Sequence, residues 1–174
     1  MTIRTTTPKD IDAVMAIIEE ARGTIAALGI NQWQNGTPNR AMITEDMALG
    51  QGRVVTVDEQ VAGTFALIYT GEPTYDTIYN GAWRAPDRAP DGSVAYIAIH
   101  RVAISVAHRG SGISSAMMEY AESYARILGK SSLRIDTHEG NLVMRRMLEK
   151  HGFTPCGTIY LQNGDPRVAY EKLL

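Results

Sequence analysis

The sequence predicts a mixed α/β domain, in which helices flank a sheet that contains antiparallel hairpins. Three observations predict it. Helical and strand-like apolar patterns alternate along the chain rather than occurring in blocks. The last two strand-like runs meet at Asn163-Gly164, a hairpin signal. The chain has 174 residues, which suits one domain over residues 1–174 with a core of useful size.

Each element has a local reason. Ile3 to Thr6 reads as a short strand. Thr7-Pro8-Lys9-Asp10 follows as a helix start, with Thr7 as N-cap and Pro8 in the first turn. Ile11, Val14, Met15, Ile18, Ala21, Ile25 and Leu28 then recur at helical spacing until Gly29, and Gly23 marks a place where the helix could divide. After the polar loop NQWQNGTPN a second helix is expected over Arg40 to Leu49. Arg53–Val57 and Val61–Tyr69 read as strands turned at Asp58-Glu59-Gln60.

Residues 71–93 hold Pro73, Gly81, Pro86, Pro90 and Gly92, with Trp83 among them and a short strand expected near Thr77–Tyr79. A connection this long in a compact domain is more often functional than idle. Val94–Val106 reads as a long strand. Ile113, Ala116, Met117, Tyr120, Ala121, Tyr124 and Leu128 give a helix closed by Gly129. Ser132–Asp136 is a strand, Asn141–His151 a helix, and Phe153–Leu161 and Arg167–Leu173 the closing hairpin.

Composition narrows the function classes. Hydrophobic residues make up 44% of the chain, charged residues 21%, and the net charge is -2. No basic block suggests a nucleic-acid surface. The single cysteine, Cys156, excludes an internal disulfide and suits a reducing compartment. MTIRTTTPKDID lacks a signal-peptide core and no run approaches membrane-spanning length, so a cytoplasmic protein without membrane partners is expected.

The stretch from His108 to Ala125, HRGSGISSAMMEYAESYA, carries the chemistry. Glycines and serines beside Arg109 run straight into a helical pattern. A helix start offers amides without intrahelical partners and a partial positive charge, and glycine lets an anion approach the backbone. A plain strand-to-helix turn explains the same residues equally well. A P-loop is excluded, because no Lys-Ser or Lys-Thr follows the glycines. A Rossmann turn fits less well: Ala107 to Arg109 intervene before the first glycine, and too little chain remains for a doubly wound sheet.

Arg109-x-x-Gly112-x-Ser114 resembles the signature of the GNAT superfamily of acyl-CoA-dependent N-acyltransferases, with serine in place of the last small residue. A second element of that family, an asparagine opening a helix that ends in Gly-Phe, is matched by Asn141 through Gly152-Phe153. IHRVAIS, LRIDTHEGN and RVAYEK further resemble a bacterial branch with HR and DTH motifs. The resemblance covers nearly the whole chain. It implies a mostly antiparallel sheet splayed between the fourth and fifth strands, and acetyl-CoA as acyl donor. The pantetheine arm would run beside Val102, Ala103 and Ile104 as an added strand. The diphosphate would rest on Gly110, Ser111, Gly112, Ile113, Ser114 and Ser115 beside Arg109, and Asn141 would also contact the cofactor.

The acceptor is expected to be a small-molecule amine or a protein N-terminus. A primary amine, with a pKa of about 10, must lose a proton before it attacks. His100 is the expected base, since histidine titrates near neutrality; arylalkylamine N-acetyltransferases of the same superfamily carry a working histidine at the equivalent place. The alternative is a structural histidine. The family's usual acid, a tyrosine seven residues past the asparagine, is replaced by Leu148, leaving Tyr120, Tyr124, Tyr160 or water for that role. Trp33, Asp136 and His138 are the candidate acceptor contacts. Arg101 is expected to face away from His100 and to pair with Asp136 or Glu171. Cys156 reads as a buried apolar residue, and no metal site is expected. A non-catalytic acyl-CoA sensor is the rival from another class. Dimerisation is common in the superfamily, and no residue pattern here specifies it.

Overall fold

The computed structural model describes residues 1–174. Seven strands form one sheet, β1 Thr2–Thr5, β2 Gly52–Val57, β3 Gln60–Ile68, β4 Tyr96–Ile104, β5 Ser132–Thr137, β6 Thr154–Tyr160 and β7 Pro166–Leu173, in the order β1-β2-β3-β4-β5-β7-β6. The helices are α1 Ile11–Ala26, α2 Arg40–Ala48, α3 Ile113–Ile127 and α4 Leu142–Lys150. The chain divides into two compact units, Met1–Leu67 with His100–Tyr120, and Ile68–Ile99 with Ala121–Leu174; β4 and α3 run through both. No helix is long and apolar enough to cross a membrane.

In the first unit, β1, β2 and β3 pair antiparallel. Asp58 and Glu59 both adopt positive φ (48° and 66°), the left-handed geometry of a tight two-residue hairpin. Gly23 does not divide α1, and Gly29 (φ 71°) follows the helix end. Leu28, expected on the core face, lies beyond the helix and is 47% exposed. The core sets Ile11, Val14 and Ile18 of α1 against Ile43 of α2 and Val54 of β2. At Gly63 on β3 a Cβ would stand 2.6 Å from Met117 Cε and 3.2 Å from the Ala103 carbonyl, so a larger residue there would require the Met117 side chain and β4 to shift.

The start of α1 is locked by charge. Thr7 is the N-cap as expected, and it forms a capping box with Asp10 around a short 3-10 turn over Pro8–Asp10. The Arg4 guanidinium donates to both Asp10 carboxylate oxygens at 2.7 and 2.8 Å. Arg4, and then Thr7, hold the Asp10 carboxyl well below the usual carboxylate range, against the opposing effect of burial. A carboxyl depressed on folding contributes stability above its unfolded pKa and loses that contribution as pH falls through the folded value. Asp10→Asn is therefore expected to lower stability by about 1–2 kcal/mol at neutral pH. The gap from wild type should narrow below about pH 4 in urea titrations.

In the second unit, β4 and β5 run parallel, with Tyr96 to Ala98 in register with Ser132 to Arg134. β5 pairs antiparallel with β7, and β7 with β6. Residues 71–93 form a strap. It holds a 3-10 turn at Pro73–Tyr75 and touches β6 through one bridge, Tyr79 with Thr158, where a short strand was expected. Ala82 N–H donates to the Cys156 carbonyl at 3.0 Å. A Cβ on Gly81 would lie 1.9 Å from that carbonyl, so the approach requires glycine. The strap thus covers part of an edge strand that would otherwise present bare backbone groups.

The strap is fastened by a buried ion network. Arg134 of β5, fully buried, donates to Glu171 at 2.8 Å, to Asp87 at 2.5 Å and to the Ala85 carbonyl at 2.8 Å. Its guanidinium lies 4.3 Å from the Trp83 ring centre and 4.2 Å from that of Tyr96. Glu171 also accepts from Ser132 Oγ at 2.7 Å and from the Arg84 and Ala85 amides. The partner of Glu171 is therefore Arg134, and the expected pairing with Arg101 does not occur.

Candidate functional site

The site begins where β4 leaves the core. Val94 through Ile99 are all buried, the mark of a strand covered on both faces. The register with β5 ends at Ala98 and Arg134, while β4 continues to Ile104. From His100 onward the strand is partly exposed, except for Ala103. Arg101 has φ 56°, a left-handed conformation that is rare for a non-glycine residue within a strand. Simple alternation across the sheet therefore cannot be carried through His100 and Arg101. Arg101 Nε lies 2.9 Å from Asp46 Oδ2 of α2, which replaces the expected pairing with Asp136 or Glu171. Asp46 is 5% exposed; desolvation raises its carboxyl above the usual range, and Arg101 and His100 oppose that rise.

Beyond β4, Ser105 N–H donates to the Ala62 carbonyl at 2.9 Å, and a 3-10 turn covers Val106–His108. Two α1 residues one turn apart hold this segment. Glu20 accepts from Val106 N–H at 2.8 Å, and Thr24 Oγ1 accepts from Arg109 Nη2 at 2.7 Å. Ser111 folds back on the His108 carbonyl through its hydroxyl at 2.6 Å. Gly110 and Gly112 take φ values of 77° and 84°, with open space where a Cβ would stand. Glycine is needed there for backbone conformation rather than for packing. Ile113, 1% exposed, anchors the helix start, while Ser114 and Ser115 are partly exposed. Ala116 N–H donates to the Gly112 carbonyl at 3.1 Å at the start of α3.

Trp33, also at positive φ (63°), sits in a loop clamped by α1. Arg22 donates to the Trp33 and Pro38 carbonyls, both at 2.9 Å. In the second unit, Asp136, His138 and Asn141 gather at the end of β5 and the start of α4. Asp136 Oδ1 accepts from the Tyr75 hydroxyl at 2.7 Å. Burial, and then Asp136, push the Tyr75 phenol well above its ordinary range, so it remains a donor. His138 Nδ1 accepts from Gly140 N–H at 3.0 Å, which leaves the proton of a neutral ring on Nε2. Asn141 caps α4, its side-chain oxygen accepting from Met144 N–H at 3.2 Å.

The remaining candidates fall into place individually. Leu148 is fully buried and carries no proton to give. The Tyr120 hydroxyl accepts from Arg53 Nε at 3.2 Å, while Tyr160 packs edge-on to Tyr79. Cys156 is buried, which raises its thiol above the ordinary range and leaves it a poor nucleophile. Asp46, Tyr75 and the Glu20–Thr24 pair enter the site only through the tertiary structure. Only the last had a signal in the sequence, two polar residues four apart on α1.

A family model described as Acetyltransferase (GNAT) family matches residues 31–153, a span that includes both the turn before α3 and the Asn141 helix. The chain belongs to the GNAT acetyltransferase family. Among solved structures, a GNAT-family acetyltransferase from Streptococcus agalactiae is 36% identical, with 99% of this chain and 95% of that chain covered and a TM-score of 0.85. A GNAT-family acetyltransferase from Listeria monocytogenes shares the fold at 21% identity and TM-score 0.73, covering 99% of this chain and 94% of that one. A ribosomal-protein-alanine N-acetyltransferase from Brucella melitensis shares it at 19% identity and TM-score 0.68, with both chains covered in full at 100%. No curated protein matches the chain. The GNAT fold of these neighbours agrees with the expected mixed, mostly antiparallel sheet, to which the structure adds a parallel β4–β5 pair.

Proposed function

We propose that this GNAT protein transfers an acetyl group from acetyl-CoA to a primary amine of a small molecule or a protein N-terminus, by direct attack. The turn ahead of α3 carries this reading. Its two glycines sit in left-handed backbone with open space around them, in front of a fifteen-residue helix. That arrangement fits a diphosphate held by main-chain amides and the helix dipole. Gly110 to Ser115 would bind it, with Arg109 alongside. Arg109 spends one donor on Thr24, and a guanidinium has five. Val102 to Ile104 offer strand backbone to the pantetheine arm, and Asn141 adds a further contact.

Acetyl-CoA supplies the activated acyl group; the chain's own residues then bind, orient and move protons. His100 takes the proton the acceptor ammonium must lose. A main-chain N–H at Val102 or Ala103 would polarise the acyl carbonyl, and the CoA thiolate released as the C–S bond breaks would take its proton from Tyr120, Tyr124, Tyr160 or water. Trp33, Asp136 and His138 contact the acceptor. Asp136 suits a cationic amine, because the Tyr75 hydroxyl fixes the orientation of its carboxylate.

Thiol release from acetyl-CoA, measured over a panel of primary amines, tests the reaction. His100→Ala is expected to lower kcat/KM for the best amine by about a hundredfold. The KM for acetyl-CoA should stay within about twofold, and the acid limb of the pH profile should disappear. An unchanged profile makes His100 structural. Cofactor binding without thiol release over the whole panel favours the sensor instead.

A further inference from the structure

We infer that Asp46 is a positioning residue for His100, acting through its buried contact with Arg101 to hold the left-handed turn in β4 that decides which way the histidine faces. The inference rests on the reading of His100 as the base. Its geometry stands independently of that role.

Three observations meet at this place. Arg101 adopts φ 56° in the middle of a strand, with neither a hairpin turn nor glycine to account for it. A non-glycine residue persists in that region only where its surroundings hold it. Its side chain reaches a carboxylate on another element, Asp46 of α2, at 2.9 Å, and both side chains are largely buried, at 16% and 7% exposure. The contact is an ion pair without hydrogen-bond alignment, so it holds Arg101 by charge rather than by a directed bond. Third, the C-terminal turn of α2 is tied to β3, since the Asp46 carbonyl accepts from Gln51 N–H at 2.8 Å and the Gln51 carbonyl in turn accepts from Leu67 N–H at 3.0 Å.

A break in alternation re-aims the side chains around it, and such breaks recur beside active sites. Here the residue immediately before the break is His100. The charged groups that act on Asp46 are Arg101 and His100 from β4 and Glu45 from its own helix. A residue that only filled space on α2 would not need to be ionisable. One that pins a strained strand residue and interacts by charge with the histidine does.

The test uses the full chain and has a readout independent of turnover. In proton NMR, the His100 Cε1–H signal is assigned by its loss in His100→Ala. Asp46→Asn, which keeps shape and removes charge, is expected to move the titration midpoint of that signal to lower pH, because the imidazolium loses a nearby anion. Turnover with the best amine should fall about tenfold or more, with KM for acetyl-CoA within about twofold. Adding Asp46→Asn to His100→Ala should change turnover no further.

An unmoved midpoint overturns the inference, as does an Asp46→Asn loss that persists undiminished in the His100→Ala background. Full turnover in His100→Ala alone would instead remove the catalytic reading of His100 and leave the midpoint result to decide Asp46. If Asp46→Asn does not fold, Arg101→Gly serves the same end, since glycine accepts the φ value. It should move the midpoint to higher pH, the Asp46 charge being left to His100, and an unmoved midpoint there is equally fatal.

Discussion

Gly112→Glu is expected to abolish the rise in Tm that acetyl-CoA gives the wild-type protein. At ligand a hundredfold above Kd, binding adds about 2.7 kcal/mol of stability, a shift of several degrees for a chain of this size. The substitution places a carboxylate among the amides proposed to receive the diphosphate, where like charges repel. Strain has to be separated from charge, because φ 84° is unfavourable for any side chain. Gly112→Ala provides the separation. Nothing lies within 4 Å of a Cβ at this position, so alanine should lower the starting Tm and still allow a ligand-induced rise. A rise that survives in Gly112→Glu would mean that the phosphate site lies elsewhere.

The largest stability effect is expected at Arg134. Arg134→Met removes the guanidinium and leaves Glu171 charged and fully buried, with only hydroxyl and amide donors remaining around it. Breaking one half of a buried pair typically removes about 3–5 kcal/mol, which corresponds to roughly 10 °C in Tm for a chain of this length. The strap should loosen with it, because Asp87 and the Ala85 carbonyl lose the same partner. Calorimetry reports the stability, and hydrogen exchange at Ala82 and Arg84 reports the strap. Arg134→Met with Glu171→Leu should recover part of the loss, since no buried charge is then left unpaired. A loss below about 1 kcal/mol in the single variant would show that the network carries little of the stability.

Strands, helices and the turn before α3 were legible in the residues because each depends on neighbours a few positions away. Periodicity marked α1 and α3, Thr7 marked the start of the first helix, and Gly110 and Gly112 marked a turn at a helix start. His100 was singled out by residue type, but its surroundings were not visible. Alternation along β4 placed Arg101 on the wrong partner, because nothing in IHRVAI announces a residue at φ 56°. The strap was marked only as a long connection rich in glycine and proline; its fastening was hidden.

The parts that stayed hidden share one feature. Tyr75 and Asp136 are 61 positions apart, Arg134 and Glu171 37. Asp46 meets Arg101 across the whole of β2 and β3. Local order follows from short-range sterics and hydrogen bonding, which the amino-acid string carries in its spacing. Which buried charge finds which opposite charge depends on how strands and helices close in space, and no window of neighbouring residues records that.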